Sequence, residues 1–306
     1  MSAVHTGYAC DMYSRAVLLF IATSACTATS PAASTIDAND TGIVDANDAG
    51  IVDASGWNLT WSDEFALPDG SAVDPTKWSY DVGGGGWGNN ERQYYVTGTA
   101  SAAIQNGALV ITATTANASK YTCWYGVCSY TSARLTTKGK FAQKFGRFEA
   151  RLKIPAGQGL WSAFWMLGDN IDTPQGRWPA CGEIDIMENV GHEPTMNHGT
   201  IHGTGYSGAK GIGASYTEPN KGPLSNDFHI YATEWDATAI RFYVDATLYA
   251  TRTRADVPDG GPWPFDHPFF LVLNIAVGGD WPKDPDSTTT FPQTLTVDWV
   301  RVYQKL

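Results

Sequence analysis

The sequence predicts an all-β domain of two packed antiparallel sheets, a sandwich or jelly roll. Three observations carry that expectation. Gly (32), Trp (12) and Tyr (14) are abundant, and no long stretch keeps a helical period. Hydrophobic residues make up 43% and charged residues 17% of the 306, enough to bury a sizeable core. Short apolar or alternating runs are separated by turn signals such as LPDG, GGGG, VPDG and KDPD.

Residues 1–26 read as an export leader. Arg15 precedes the apolar run AVLLFIA (16–22), and small residues TSAC (23–26) follow. The run is too short to span a bilayer but fits a signal-peptide core. Asp11 sits awkwardly in the charged leader, and Met12 offers an alternative start with the leader MYSR. Cleavage after Ala25 would make Cys26 the first mature residue, as at a bacterial lipoprotein site. Thr23 departs from the aliphatic residue usual there. A freely secreted protein and one lipid-anchored through Cys26 therefore both stay open.

Residues 27–56 form a low-complexity segment. DANDTGIV (37–44) recurs as DANDAGIV (45–52), and DASG begins a third copy. So few units cannot build a solenoid, and an acidic flexible linker is expected. Its Asp and Asn lack the EF-hand spacing for calcium. From Trp57 the texture is uniform, so 57–306 is taken as one domain, expected to be monomeric.

Within it, GRFEARLKI (146–154) alternates cleanly: Phe148, Ala150, Leu152 and Ile154 on one side, charged residues on the other. Residues 108–115, 239–245, 269–279 and 295–303 are further predicted strands. Cys123 and Cys128 flank WYGV, a loop that a disulfide can close in an oxidising compartment. Cys181 reads as a small buried hydrophobe. No CxxC pair or HExxH motif suggests zinc. The net charge of −11 argues against nucleic acid as a partner and disfavours a polyanionic substrate, but not a neutral polymer.

GEIDIMENVG (182–191) breaks the pattern. Glu183 and Asp185 share a face of a strand, but Glu188 would fall on the other. Three acids on one apolar strand repel each other and resist desolvation. An acidic solvated face would explain them, but Trp161, Trp165 and Trp178 upstream and His192, His198 and His202 downstream are what a sugar cleft needs. Retaining glycoside hydrolysis takes two carboxyls about 5–5.5 Å apart. Four strand steps span roughly 13 Å, which two inward-leaning Glu side chains can close. That requires Glu188 on the face of Glu183, so a β-bulge at Met187 or a neighbour is predicted.

The same segment resembles the ExDxxE signature of laminarinase-like members of glycoside hydrolase family 16. WSDEF (61–65), GGGGWGNNERQYY (83–95), YTSARLTTKGKF (131–141), GRFEARLKIPAGQGLWSAFWMLG (146–168), TIHG (200–203), NIAVGGDWP (274–282) and VDWVRVYQ (297–304) resemble further blocks in the expected order. The resemblance implies a β-jelly roll with a concave sheet carrying the cleft, and an endo-acting, retaining β-1,3-glucanase. It assigns Glu183 as nucleophile, Asp185 as the assisting carboxylate and Glu188 as acid/base. Trp178 and Trp161 match sugar platforms, Asn90 and Arg147 polar sugar contacts, and His202 a residue near the acid/base. It implies no cofactor for catalysis, and a structural calcium ion held by Glu64, Gly107 and Asp298. Ser162 stands where Pro is common and Arg92 where Leu is common. Lichenases use ExDxE without the extra residue, so Met187 speaks against a pure mixed-linkage enzyme. A mixed-linkage β-1,3-1,4-glucanase or a galactan hydrolase of the same fold, and a non-catalytic β-glucan-binding protein, are the other readings.

Several residues also have plainer readings. Trp165, in SAFWML, reads as core rather than cleft, and His192 and His198 as core or surface. Arg147 lies among alternating charges that an exposed ion-paired face would explain. Asp298 would serve equally to cap a turn.

Overall fold

A computed structural model describes residues 56–220 and 222–306. The expected leader, the acidic repeats and Cys26 lie outside the described residues. In chain order the strands are β1 (Trp57–Asp63), β2 (Ser79–Asp81), β3 (Gln93–Tyr95), β4 (Ala102–Gln105), β5 (Ala108–Ala113), β6 (Thr122–Cys123) and β7 (Gly126–Val127). There follow β8 (Tyr130–Ser132), β9 (Arg134–Thr136), β10 (Gly146–Lys153), β11 (Leu160–Gly168), β12 (Glu183–Val190) and β13 (Met196–His202). The last are β14 (Ile212–Thr217), β15 (His229–Trp235), β16 (Ala239–Val244), β17 (Thr247–Thr253), β18 (Phe269–Val277) and β19 (Gln293–Lys305).

Two large antiparallel sheets result. One has the order β17–β16–β15–β10–β19–β5–β4, the other β14–β13–β12–β11–β18–β9–β2. The long strand β19 serves two partners in succession, β5 beside its first half and β1 beside its second. This is the β-jelly roll that the alternating runs predict, and each of the five predicted strands is present.

The period-two pattern decides which faces meet. In β10, Phe148, Ala150 and Leu152 are buried between the sheets. In β11 and β18, Phe164, Met166, Leu271, Leu273 and Ile275 meet them from the other side in one cluster. Burying each of these side chains larger than Ala150 contributes about 1.5–3 kcal/mol. A smaller cluster of Leu167, Cys181, Phe270 and Val272 lies apart from that core, with Trp165 and Ile171 packed against it. It seats the loop between β11 and β12 by burying Cys181 at the loop's end. Cys181 is free and buried, as read from the sequence. Cys123 and Cys128 are joined as a disulfide across the β6–β7 hairpin.

Candidate active site

The misfit in GEIDIMENVG resolves as a bulge. Along β11, Trp165 pairs with Asp185 and Phe164 with Met187, which leaves Ile186 without an opposite number. Along β13, Asp185 pairs with Thr200 and Glu188 with His198, so two residues face Gly199. Ile186 and Met187 both go into the core beside Ile184. That extra inward residue returns Glu188 to the face of Glu183 and Asp185.

Each acid is held by a named partner on that face. The Trp178 indole Nε1 donates to Glu183 Oε2 at 2.7 Å. The Trp161 indole Nε1 donates to Glu188 Oε1 at 3.1 Å. His202, directly across from Glu183 in the β12–β13 register, has Nε2 3.0 Å from Asp185 Oδ2 and 3.7 Å from Glu183 Oε1. Trp178 is 46% exposed, so its ring remains open to a ligand while its N–H is engaged. His202 thus touches Asp185 and lies beside Glu183, and it also bears on Glu188, near which the resemblance placed it.

Burial, more than crowding, raises all three acids. Burial first, and the Asp185 charge second, push Glu183 up to about 8, against the pull of His202, the Trp178 N–H and Arg134. Burial pushes Asp185 up to about 8 as well. Glu188 is held well above the ordinary carboxylate range, by burial first and then by Asp185 and Glu183. The three acids titrate as one cluster. His202 and an indole N–H draw both glutamates back down, Trp178 at Glu183 and Trp161 at Glu188, and Glu188 in addition feels the Glu183 charge.

Other expected residues fall elsewhere. Arg147 lies on β10, in the opposite sheet, paired with Glu149 at 2.8 Å and Glu234 at 3.0 Å. Its neighbours Phe148 and Ala150 point into the core, so Arg147 faces outward from the far sheet and is not a sugar contact of this site. The ion-paired face is the correct reading. The proposed calcium set does not fit either. Strand pairing brings the segments bearing Glu64, Gly107 and Asp298 side by side. Arg301, however, takes both oxygens of Glu64, at 3.0 and 2.9 Å, and Arg151 holds Asp298 at 2.5 Å. Among the described residues, the group of three or more His, Cys, Asp and Glu side chains close enough to share an ion is Glu183, Asp185 and His202. Asn90 is exposed and its Nδ2 donates to both oxygens of Asp280.

Trp165 is not simply a core residue. It lies across from Asp185, its Nε1 donates to Asn274 at 2.8 Å, and Arg134 stacks on it at 4.7 Å. Arg134, unnoticed in the sequence, is sandwiched between Trp165 and Trp87 and paired with Asp81 at 2.9 Å. A second missed group is the buried Glu91. It accepts from Asn89, Gln93 and Tyr95. Tyr95 in turn accepts from Asn274, which tethers the network to Trp165. Trp281, also missed, packs edge-on against Trp161 at 5.3 Å and His198 at 5.1 Å. The only sequence signal for these was their place inside the aromatic-rich blocks.

A family model described as Glycosyl hydrolases family 16 matches residues 90–301. A beta-glucanase of Rhodothermus marinus is 44% identical over 262 residues, covering 81% of this chain and 85% of the relative. Among solved structures, the laminarinase catalytic domain of Thermotoga maritima is 46% identical with a TM-score of 0.75, covering 82% of this chain and 99% of that one. The endo-beta-1,3-glucanase of Pyrococcus furiosus is 45% identical with a TM-score of 0.77, covering 85% and 99%. With the jelly roll, the bulged acidic strand and these likenesses in agreement, the chain belongs to glycosyl hydrolases family 16.

Proposed function

We propose that this chain is an endo-acting, retaining hydrolase of β-1,3-glucan. The observation that carries this reading is the bulge that sets Glu183 and Glu188 on one face, each fixed by a tryptophan N–H. Glu183 attacks the anomeric carbon while Glu188 gives its proton to the departing glycosidic oxygen. The glycosidic bond breaks and an ester to Glu183 forms. Esterification removes the Glu183 charge, which is one of the influences raising Glu188. Glu188 then takes a proton from water, which attacks the same carbon and releases Glu183. Two inversions restore the β configuration. Asp185, wedged between them beside His202, tunes both titrations.

The substrate class follows from charge and kinship. A chain of net charge −11 suits an uncharged glucan. The relatives above are a beta-glucanase, a laminarinase and an endo-beta-1,3-glucanase. The enzyme works outside the cytoplasm, free or tethered through Cys26; the leader and the Cys123–Cys128 disulfide support export. Product analysis on laminarin, lichenan and agarose tests the assignment. A ladder of oligosaccharides from laminarin, formed faster than products from lichenan and with none from agarose, is expected. Glucose as the sole early product would overturn the endo mode. Binding to curdlan without any release would overturn the enzyme.

A further inference from the structure

We propose that Trp124, presented by the disulfide-closed β6–β7 hairpin, is the platform of an additional glucosyl-binding site beyond the catalytic row. This rests on the β-glucan reading above and deepens it, because such a site makes turnover depend on chain length. A cavity of about 400 Å³ is lined by Asn90, Arg92, Trp124, Gly279, Asp280 and Asp284. That is near the small end of ligand pockets, about 300–1,000 Å³, and suits a sugar ring or two.

Trp124 is fixed from several sides yet half-exposed. Its backbone N–H donates to Gly84 at 2.9 Å, and its indole Nε1 to the Glu91 carbonyl at 2.8 Å. Cys123 beside it is tied to Cys128. The indole edge rests on Gly86, where a Cβ would come within 3.0 Å of it, and a Cβ on Gly84 would come within 2.7 Å of Cys123 Sγ. These two positions of the GGGG run are therefore seats for the hairpin. Despite this anchoring the side chain is 49% exposed. Arg92 lies over part of the ring at 6.0 Å, and the half-exposed remainder, held in one orientation, loses little entropy on binding and offers flat surface for a pyranose ring to stack on.

The polar lining fits a neutral, hydroxyl-rich partner. Arg92 grips Asp284 with Nε at 2.9 Å and Nη2 at 2.6 Å, and Asn90 bridges both oxygens of Asp280. Both carboxylates are exposed and keep lone pairs for hydroxyl donors. Arg92 offsets one of the two negative charges, so neither an anion nor a cation is strongly favoured. The same Arg92 stacks on Tyr125 at 5.1 Å, joining the hairpin to the acids.

The site is linked to the catalytic row by direct contacts. The Arg92 N–H donates to Val277 at the end of β18, and the Asp280 N–H to Asn89. Asp280 is followed by Trp281, which packs on Trp161, the donor to Glu188. A glucan bound across the acids and long enough to extend past Trp281 would reach Trp124.

The test compares kcat/KM on a series of laminari-oligosaccharides of increasing length for the intact protein, Trp124→Ala and Trp124→Phe. Trp124→Ala is expected to lose about tenfold on the long members only, with the shortest cleaved member unchanged, and Trp124→Phe to keep most of the activity. Asp280→Ala, an exposed change that leaves the hairpin intact, should give a smaller loss with the same length dependence, and it serves if Trp124→Ala does not fold. An equal loss at every length, or none at any length in either variant, would overturn the additional site and leave the glucanase reading standing. No turnover of any member by the intact protein would overturn both.

Discussion

A carboxyl that must ionise and a carboxyl that must stay protonated sit a few residues apart, and their individual partners separate the roles. Burial and Asp185 raise both; the Trp178 N–H, His202 and Arg134 draw Glu183 back, and Glu188, drawn back by His202 and the Trp161 N–H, carries the Glu183 charge as a further upward push. Glu183→Gln keeps an oxygen for the Trp178 N–H but removes the attacking anion. Turnover of laminarin is expected to fall at least about 10³-fold with the melting temperature unchanged, read by reducing-sugar assay and calorimetry. Retained activity would reassign the nucleophile. Asp185→Asn tests the tuning. The Asp185 anion raises both Glu183 and Glu188. Its removal lets both ionise at lower pH, so both limbs of the kcat/KM profile should move toward acid by about one pH unit. A shift toward alkali would contradict the assigned cause.

At the scale of the element, the site depends on how many residues lie between Asp185 and Glu188. A one-residue slip turns every following side chain to the other face. Inserting one Ala after Asp185 should drive Glu188 into the core, abolish activity and destabilise the fold. Deleting Met187 should instead restore plain alternation with Glu188 still beside Glu183. It would leave a core void costing roughly 2–5 kcal/mol but activity above that of Glu183→Gln. Rates on an aryl glycoside and thermal melts of the two variants decide this. The bulge was legible because acids at 183, 185 and 188 cannot share a face without one. That Ile186 and Met187 both turn inward was not, because either fits an apolar core. Arg147 shows the limit of alternation: the pattern marks which side of a strand is polar, but not which of two sheets the strand joins. Trp165 shows another limit, since an indole packed on a small apolar cluster beside the acids looks, in sequence, like core.

In the whole molecule, two sheets share one core and turn opposite outer faces to water, so the work is divided between them. The Glu183 sheet carries the chemistry; the outer face of the other carries arginine–carboxylate pairs such as Arg147 with Glu149 and Arg301 with Glu64. Arg147→Ala should therefore leave kcat/KM on laminarin within about twofold. It should cost about 1–3 kcal/mol of stability, a fall of several degrees at roughly 2–4 °C per kcal/mol. A large loss of kcat/KM without a change in melting would put Arg147 back in the cleft. The order of the family blocks made this architecture readable from Trp57 onward. Arg134 and the Tyr95–Asn274 link were not readable, because their partners come from strands far apart in the chain.

The chemistry of the bulged strand meets its most direct test in proton NMR of the reducing-end anomer during the first turnovers on laminarin. Two displacements through Glu183 and Glu188 give the β-anomer first, with the α-anomer growing only as the sugar mutarotates. The α-anomer appearing first would mean a single displacement by water, and would contradict a covalent step on Glu183.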